Sequence, residues 1–86
     1  MARNQAIEHI LQVKRRYESD LMSRANVVGV GVGFKSIGGR ETDTLAVVVN
    51  VTRKAPLAEL APQDVIPPGL EDVPTDVQEV GILKAL

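Results

Sequence analysis

From Val27 to Phe34 the chain reads Val-Val-Gly-Val-Gly-Val-Gly-Phe, and no other stretch narrows the choice of fold as much. Side chains of a strand point alternately to opposite faces. Val28, Val30, Val32 and Phe34 therefore share one face, and Gly29, Gly31 and Gly33 share the other. Valine is stiff at its branched Cβ and favours extended backbone. Glycine weakens a strand unless another segment must come close to the backbone. The pattern predicts a strand over 27–35 with one apolar face and one bare face. The bare face, Gly29, Gly31 and Gly33, is the candidate packing or partner surface: it would admit the N-terminal helix, another strand or a partner backbone.

The flanking segments complete an α+β reading. Over 3–24, Ile7, Ile10, Leu11, Tyr17, Leu21 and Met22 recur at steps of three and four, which predicts a helix with one apolar stripe. Lys14 interrupts that stripe, and its aliphatic stem can lie along it. Glu8, Gln12, Arg15, Arg16, Ser19 and Asp20 fill the other side. Ser36 to Glu41 reads as a hairpin turn, with Gly38-Gly39 supplying positive φ angles. The strand over 44–52 carries Leu45, Val47, Val49 and Val51 on one face and Ala46 and Val48 on the other. Apolar residues on both faces place it in the middle of a sheet or under cover on both sides. Pro56, Pro62, Pro67, Pro68, Gly69 and Pro74 then break regular structure. Leu57, Leu60, Val65, Ile66, Leu70 and Val73 anchor this excursion to the core. A third strand is predicted over 75–83, with Val77 and Leu83 on one face. The expected architecture is a single domain over 1–86: an N-terminal helix on a small, mostly antiparallel three-stranded sheet, with a proline-rich excursion before the last strand.

Composition removes several functions. The chain has 86 residues, enough for one small domain, with one Phe and one Tyr, so Val, Leu, Ile and Ala must build the core. Ten basic residues against eleven acidic ones nearly cancel, and one Phe and one Tyr offer little for bases to stack on, so nucleic acid is not an expected partner. There is no cysteine for a disulfide or thiolate metal site. Residues 1–5 lack the apolar region of a secretion signal, and the longest apolar run, Leu45 to Val49, is too short to span a bilayer. No membrane partner and a cytoplasmic location are expected.

The chemically suggestive residues do not assemble into a known motif. The glycine run misses the dinucleotide fingerprint, because Phe34 occupies the sixth position and no helix follows. No phosphate-binding or other cofactor is expected. His9 is the only histidine, and none of Ser19, Ser23 and Ser36 lies in a nucleophile elbow, so no catalytic residue is assigned. Asp64, Glu71, Asp72, Asp76 and Glu79 cluster late in the chain, and a turn at Pro74 would let Asp72 and Asp76 face each other. The spacing of a calcium loop is missing, so these acids read as solvated groups and turn caps, and no metal site is assigned. Arg15-Arg16 and Arg53-Lys54 read as exposed charges.

Read together, certain segments resemble a known region. These are the Val27–Lys35 strand, the Leu45–Val51 strand ending at Lys54-Ala55-Pro56, the Ile66-Pro67-Pro68 turn, and Pro74-Thr75-Asp76-Val77 through Glu79-Val80-Gly81. In order and spacing they resemble the region that precedes the protease domain in prokaryotic trypsin-like serine peptidases. The resemblance covers about residues 26–86. It implies a non-catalytic accessory or pro-region, the N-terminal part of a longer protein, whose partner is the downstream protease domain that it helps to fold, shield or assemble. None of the triad-bearing domain is present, so no catalytic residue carries over. The alternative is a stand-alone, self-associating structural module. Apolar residues on both strand faces, with one helix to cover them, also predict a homo-oligomer.

Overall fold

A computed structural model describes residues 3–81. It contains one helix, α1 (Arg3–Met22), and four strands: β1 (Val27–Ile37), β2 (Arg40–Val51), β3 (Gly69–Leu70) and β4 (Val73–Glu79). The fold is α+β, with α1 packed on one face of a single mixed sheet of order β1-β2-β4-β3.

The helix ends two residues earlier than its sequence pattern suggests. Ser23 Oγ donates to the carbonyl of Asp20, and Asn26 turns left-handed at φ 69°, a conformation asparagine tolerates. The buried stripe is narrower than expected. Ile10, Val13 and Leu21 are buried, with Tyr17 packed beside them, whereas Ile7 and Met22 are exposed. Steps of three, four and four keep Val13 in line with Ile10, Tyr17 and Leu21, whereas Met22, next to the fully buried Leu21, is turned about 100° away from that stripe. Each fully buried side chain here contributes about 1.5–3 kcal/mol through removal from water.

β1 and β2 form a long antiparallel hairpin closed by Gly38 and Gly39, at φ 59° and 80°. The turn is therefore tighter, and both strands longer, than expected. Two irregularities shape the hairpin. Val28 is an extra residue on β1 between the pairs Val27–Val51 and Gly29–Asn50. Thr42, Asp43 and Thr44 on β2 stand against Lys35 alone, between the pairs Phe34–Leu45 and Ser36–Glu41. Thr42 Oγ1 donates to Lys35 O at 2.7 Å and accepts from Thr44 N–H at 3.2 Å, satisfying backbone groups the bulge takes out of the ladder.

The central position of β2 agrees with its doubly apolar pattern: Ala46 and Val48 on one face, Val47, Val49 and Val51 on the other, between β1 and β4. The three-stranded expectation needs correction. The last strand runs over Val73–Glu79, not 75–83, and pairs parallel with β2 from Val47–Thr75 to Val51–Glu79. Val80 still donates its N–H to Val51 O at 2.8 Å, but Gly81 turns to φ 72° and ends the ladder. Leu83 lies outside the described residues. The fourth strand, β3, has two residues and pairs with Val73 and Pro74. No periodicity announces so short an element between prolines.

The proline-rich excursion holds two short 3-10 turns, Leu57–Glu59 and Pro62–Asp64. Leu70 and Val73 are buried and Ile66 packs on the core, as expected of anchors. Leu57 is not an anchor: it is 71% exposed. Polar bonds tie the excursion down as well. Arg24 Nη1 donates to Val65 O at 2.6 Å, Asp64 accepts Ala25 N–H at 2.9 Å, and Thr75 Oγ1 donates to Pro67 O.

Candidate functional site

The glycine face is built by register. β1–β2 pairing sets Gly29 opposite Asn50, Gly31 opposite Val48 and Gly33 opposite Ala46. β2–β4 pairing continues these rows with Asp76 beside Val48 and Gln78 beside Asn50. Val30 and Val32, on the opposite face, pack against the core that contains the helix residues. The helix therefore covers the valines; of the occupants expected for the face of Gly29, Gly31 and Gly33 (the helix, another strand or a partner backbone), the helix lies on the opposite face. The physical reason is burial: the branched side chains gain from the helix's apolar stripe and a glycine face offers nothing to bury. A Cβ at Gly31 would meet no atom within 4 Å. A Cβ at Gly29 would lie 3.4 Å from Asn50 Nδ2, and one at Gly33 would lie 3.3 Å from Val48 Cγ2. The result is an open groove lined by Gly31, Gly33, Val48, Asn50 and Gln78.

One end of that face is closed by a polar tie. Asp76 is 8% exposed and accepts Ser36 N–H at 3.0 Å and the Gln78 side-chain amide at 2.9 Å. Lys35 Nζ donates to Thr75 O at 3.2 Å. Since β2 lies between β1 and β4, these bonds reach across it, and Ala46 on that face of β2 is fully buried. A buried carboxylate is tolerable only with such donors.

Four further polar residues form a second constellation between α1 and the β3–β4 turn. His9 Nε2 lies 2.8 Å from Asp72 Oδ1, and Arg16 pairs with Glu71. Together they strap α1 to the β3–β4 turn, where Glu71 takes φ 59°. The hydrogen bond from Arg16 holds the Glu71 carboxyl below its usual range, and that from His9 does the same for Asp72. Burial, and next the hydrogen bond to Glu71, raises the Tyr17 hydroxyl. Glu71 in turn raises Arg16.

Asp72 and Asp76 are not a pair, because one belongs to the strap and the other to the tie. Asp64 caps Ala25 and Glu79 Oε1 accepts Lys54 N–H at 2.8 Å. Each of these acids thus bonds a different partner. Among the described residues no group of three or more His, Asp or Glu side chains is placed to hold a metal. No helix among them is long and apolar enough to cross a membrane. Sequence reasoning missed the His9–Asp72 and Arg16–Glu71 contacts because they join residues 63 and 55 positions apart. It missed Asp76 as a buried group because nothing in the local pattern separates it from Asp72.

No protein-family model matches the chain, and no curated protein matches it either. The resemblance to a peptidase N-terminal region is carried by the quoted segments alone.

Proposed function

We propose that this chain is a non-catalytic accessory region of a trypsin-like serine peptidase, and that it acts by presenting the sheet face opposite α1 to the downstream protease domain. The observation that carries this reading is the open ground over Gly31, where a side chain would meet nothing within 4 Å. A strand that gives up three side chains on one face loses packing and β-propensity, on the order of 0.5–1 kcal/mol for each glycine. Offsetting contacts must come from a surface that approaches this backbone closely. The sequence resemblance names that surface as the domain that follows. The chain's part in peptidase chemistry is then folding, shielding or assembly, with the nucleophile, base and acid supplied downstream.

The test is a comparison of the longer protein with and without residues 1–86, and with Gly31→Arg. The proposal expects a lower soluble, correctly folded yield of the protease domain when the region is removed, and a similar loss for Gly31→Arg. A gene that does not continue into a chymotrypsin-fold domain, or a protease domain indifferent to both changes, overturns it.

One observation favours the second reading, self-association. β1 is an edge strand, and its Val28 and Ile37 are 50% and 62% exposed. No proline occurs from Val27 to Ile37 and Lys35 is its one charge, so beyond the bulge at Val28 this edge carries little of the protection that edge strands usually have. Under this reading a second copy pairs along β1, and sedimentation at micromolar concentration detects a dimer.

A further inference from the structure

A cavity of about 450 Å³ lies between the proline-rich excursion and the sheet. Its volume falls in the range of small-ligand sites, roughly 300–1,000 Å³. Val51 and Val77 line it from β2 and β4, Ile66 and Pro68 from the excursion, and Leu57 and Leu60 from the first 3-10 turn and its cap. Leu57 stands 71% exposed beside it. An exposed leucine next to an apolar hollow gains burial only when something fills that hollow.

The charges on the lining decide what kind of molecule that is. Two carboxylates are present, and both are engaged: Asp64 accepts Ala25 N–H and Asp76 accepts Ser36 N–H and the Gln78 amide. Three cations are present. Lys35 is held by Thr75 O, and Arg53 pairs with Glu59 at 3.2 Å. Lys54 is fixed through its backbone N–H to Glu79, and its ammonium has no hydrogen-bond or ion-pair partner among the described residues. The lining thus combines an apolar body with one uncommitted positive charge, next to a second cation held only by an exposed ion pair. Exposed pairs are weak and exchange partners readily.

We infer that this cavity is a binding site for a small apolar carboxylate, with the hydrocarbon body against Val51, Val77, Ile66 and Leu60 and the carboxylate at Lys54. The inference does not depend on what docks over the glycines or on any protease domain, although Lys35 and Asp76 line the cavity and also tie one end of that face.

The test uses decanoate below its micellar concentration, titrated into the 86-residue chain and followed by amide chemical shifts and calorimetry. Saturable binding is expected, with shifts centred on residues 51–57, 60–68 and 75–77. Lys54→Ala weakens it about tenfold, the size of one charge-assisted hydrogen bond, and Lys54→Arg restores most of it. Leu57→Ala, at an exposed position, weakens it without lowering Tm. Decan-1-ol and decyltrimethylammonium serve as neutral and cationic controls and bind more weakly. Absence of saturable decanoate binding, shifts centred elsewhere, or equal binding by the cationic control overturns the inference, as does an unchanged affinity in Lys54→Ala.

Discussion

Gly31 and Gly33 sit two residues apart on the same strand face and have opposite surroundings. At Gly33 an added Cβ comes within 3.3 Å of Val48 Cγ2, so a valine there must displace its cross-strand neighbour. Gly33→Val is expected to destabilise the isolated chain by about 1–3 kcal/mol. At Gly31 the space is open, and a valine gains extended-backbone preference with nothing to push aside. Gly31→Val is expected to leave the monomer's stability unchanged or to raise it by up to about 1 kcal/mol. Urea unfolding of the two variants, side by side, reads this contrast. Equal losses would mean that the two glycines do not differ as their surroundings say. Leu21 offers a reference point at the same scale. It is fully buried among helix and sheet residues, and Leu21→Ala is expected to cost about 2–5 kcal/mol by leaving a cavity.

At the scale of elements, the join between α1 and the β3–β4 turn is electrostatic at its rim. Glu71 and Asp72 both have folded-state carboxyls held below their usual range by Arg16 and His9. The sign follows directly. A depressed carboxyl contributes stability that is fully present above its unfolded value and is lost as pH falls through the lower, folded value. Acidification from the top of the ordinary carboxylate range downward therefore loosens the strap, while the neutral range leaves these two carboxylates ionised. Both contacts are exposed, so salt weakens them. In thermal melts from pH 6 to pH 3, the wild type is expected to lose more Tm than the Arg16→Gln, His9→Gln double variant, and less at high salt. Parallel curves for the two proteins would show that the strap contributes nothing measurable. The bulge of Thr42, Asp43 and Thr44 belongs to this scale too. Next to it in the ladder, Ser36 N–H reaches Asp76 across β2. Asp76→Ala removes the acceptor from a part-buried N–H and is expected to cost about 1–3 kcal/mol. Asp76→Asn keeps an acceptor oxygen and is expected to cost less, measured by the same unfolding experiment.

For the whole molecule, the asymmetry of cover matters most. Among the described residues, one face of the sheet carries the helix and the proline-rich excursion, and the other is covered only where the hairpin end is tied to β4. β1 forms one outer edge of the sheet, and Val28 stands exposed on it. Val28→Lys is expected to leave unfolding stability within about 0.5 kcal/mol of the wild type, because Val28 is half exposed and is not part of the core cluster. If copies pair along this edge, the same change abolishes the pairing, since a charge on an edge strand blocks augmentation. Sedimentation velocity of wild type and Val28→Lys over micromolar concentrations separates an edge-paired dimer from a monomer whose open face is reserved for a following domain.

Local pattern settled the parts of this fold that depend on near neighbours. Helical spacing marked α1, valine–glycine alternation marked β1, the Gly38-Gly39 pair marked the hairpin turn, and the two apolar faces of 45–51 marked β2 as a strand central in its sheet or covered on both sides. These features rest on side-chain period and backbone freedom, which a few adjacent residues specify. Tertiary structure decided the rest. Whether α1 covers the valines or the glycines depends on which face offers apolar area to bury, a choice made between segments. The parallel pairing of β4 with β2 depends on how the excursion of residues 52–68 returns the chain to the sheet. The two-residue β3 is set by its neighbours in the sheet, and the Ser36–Asp76 bond and the strap from His9 and Arg16 join residues 40, 63 and 55 positions apart. Such contacts leave no local period, because each is fixed by where the assembled elements place its partner.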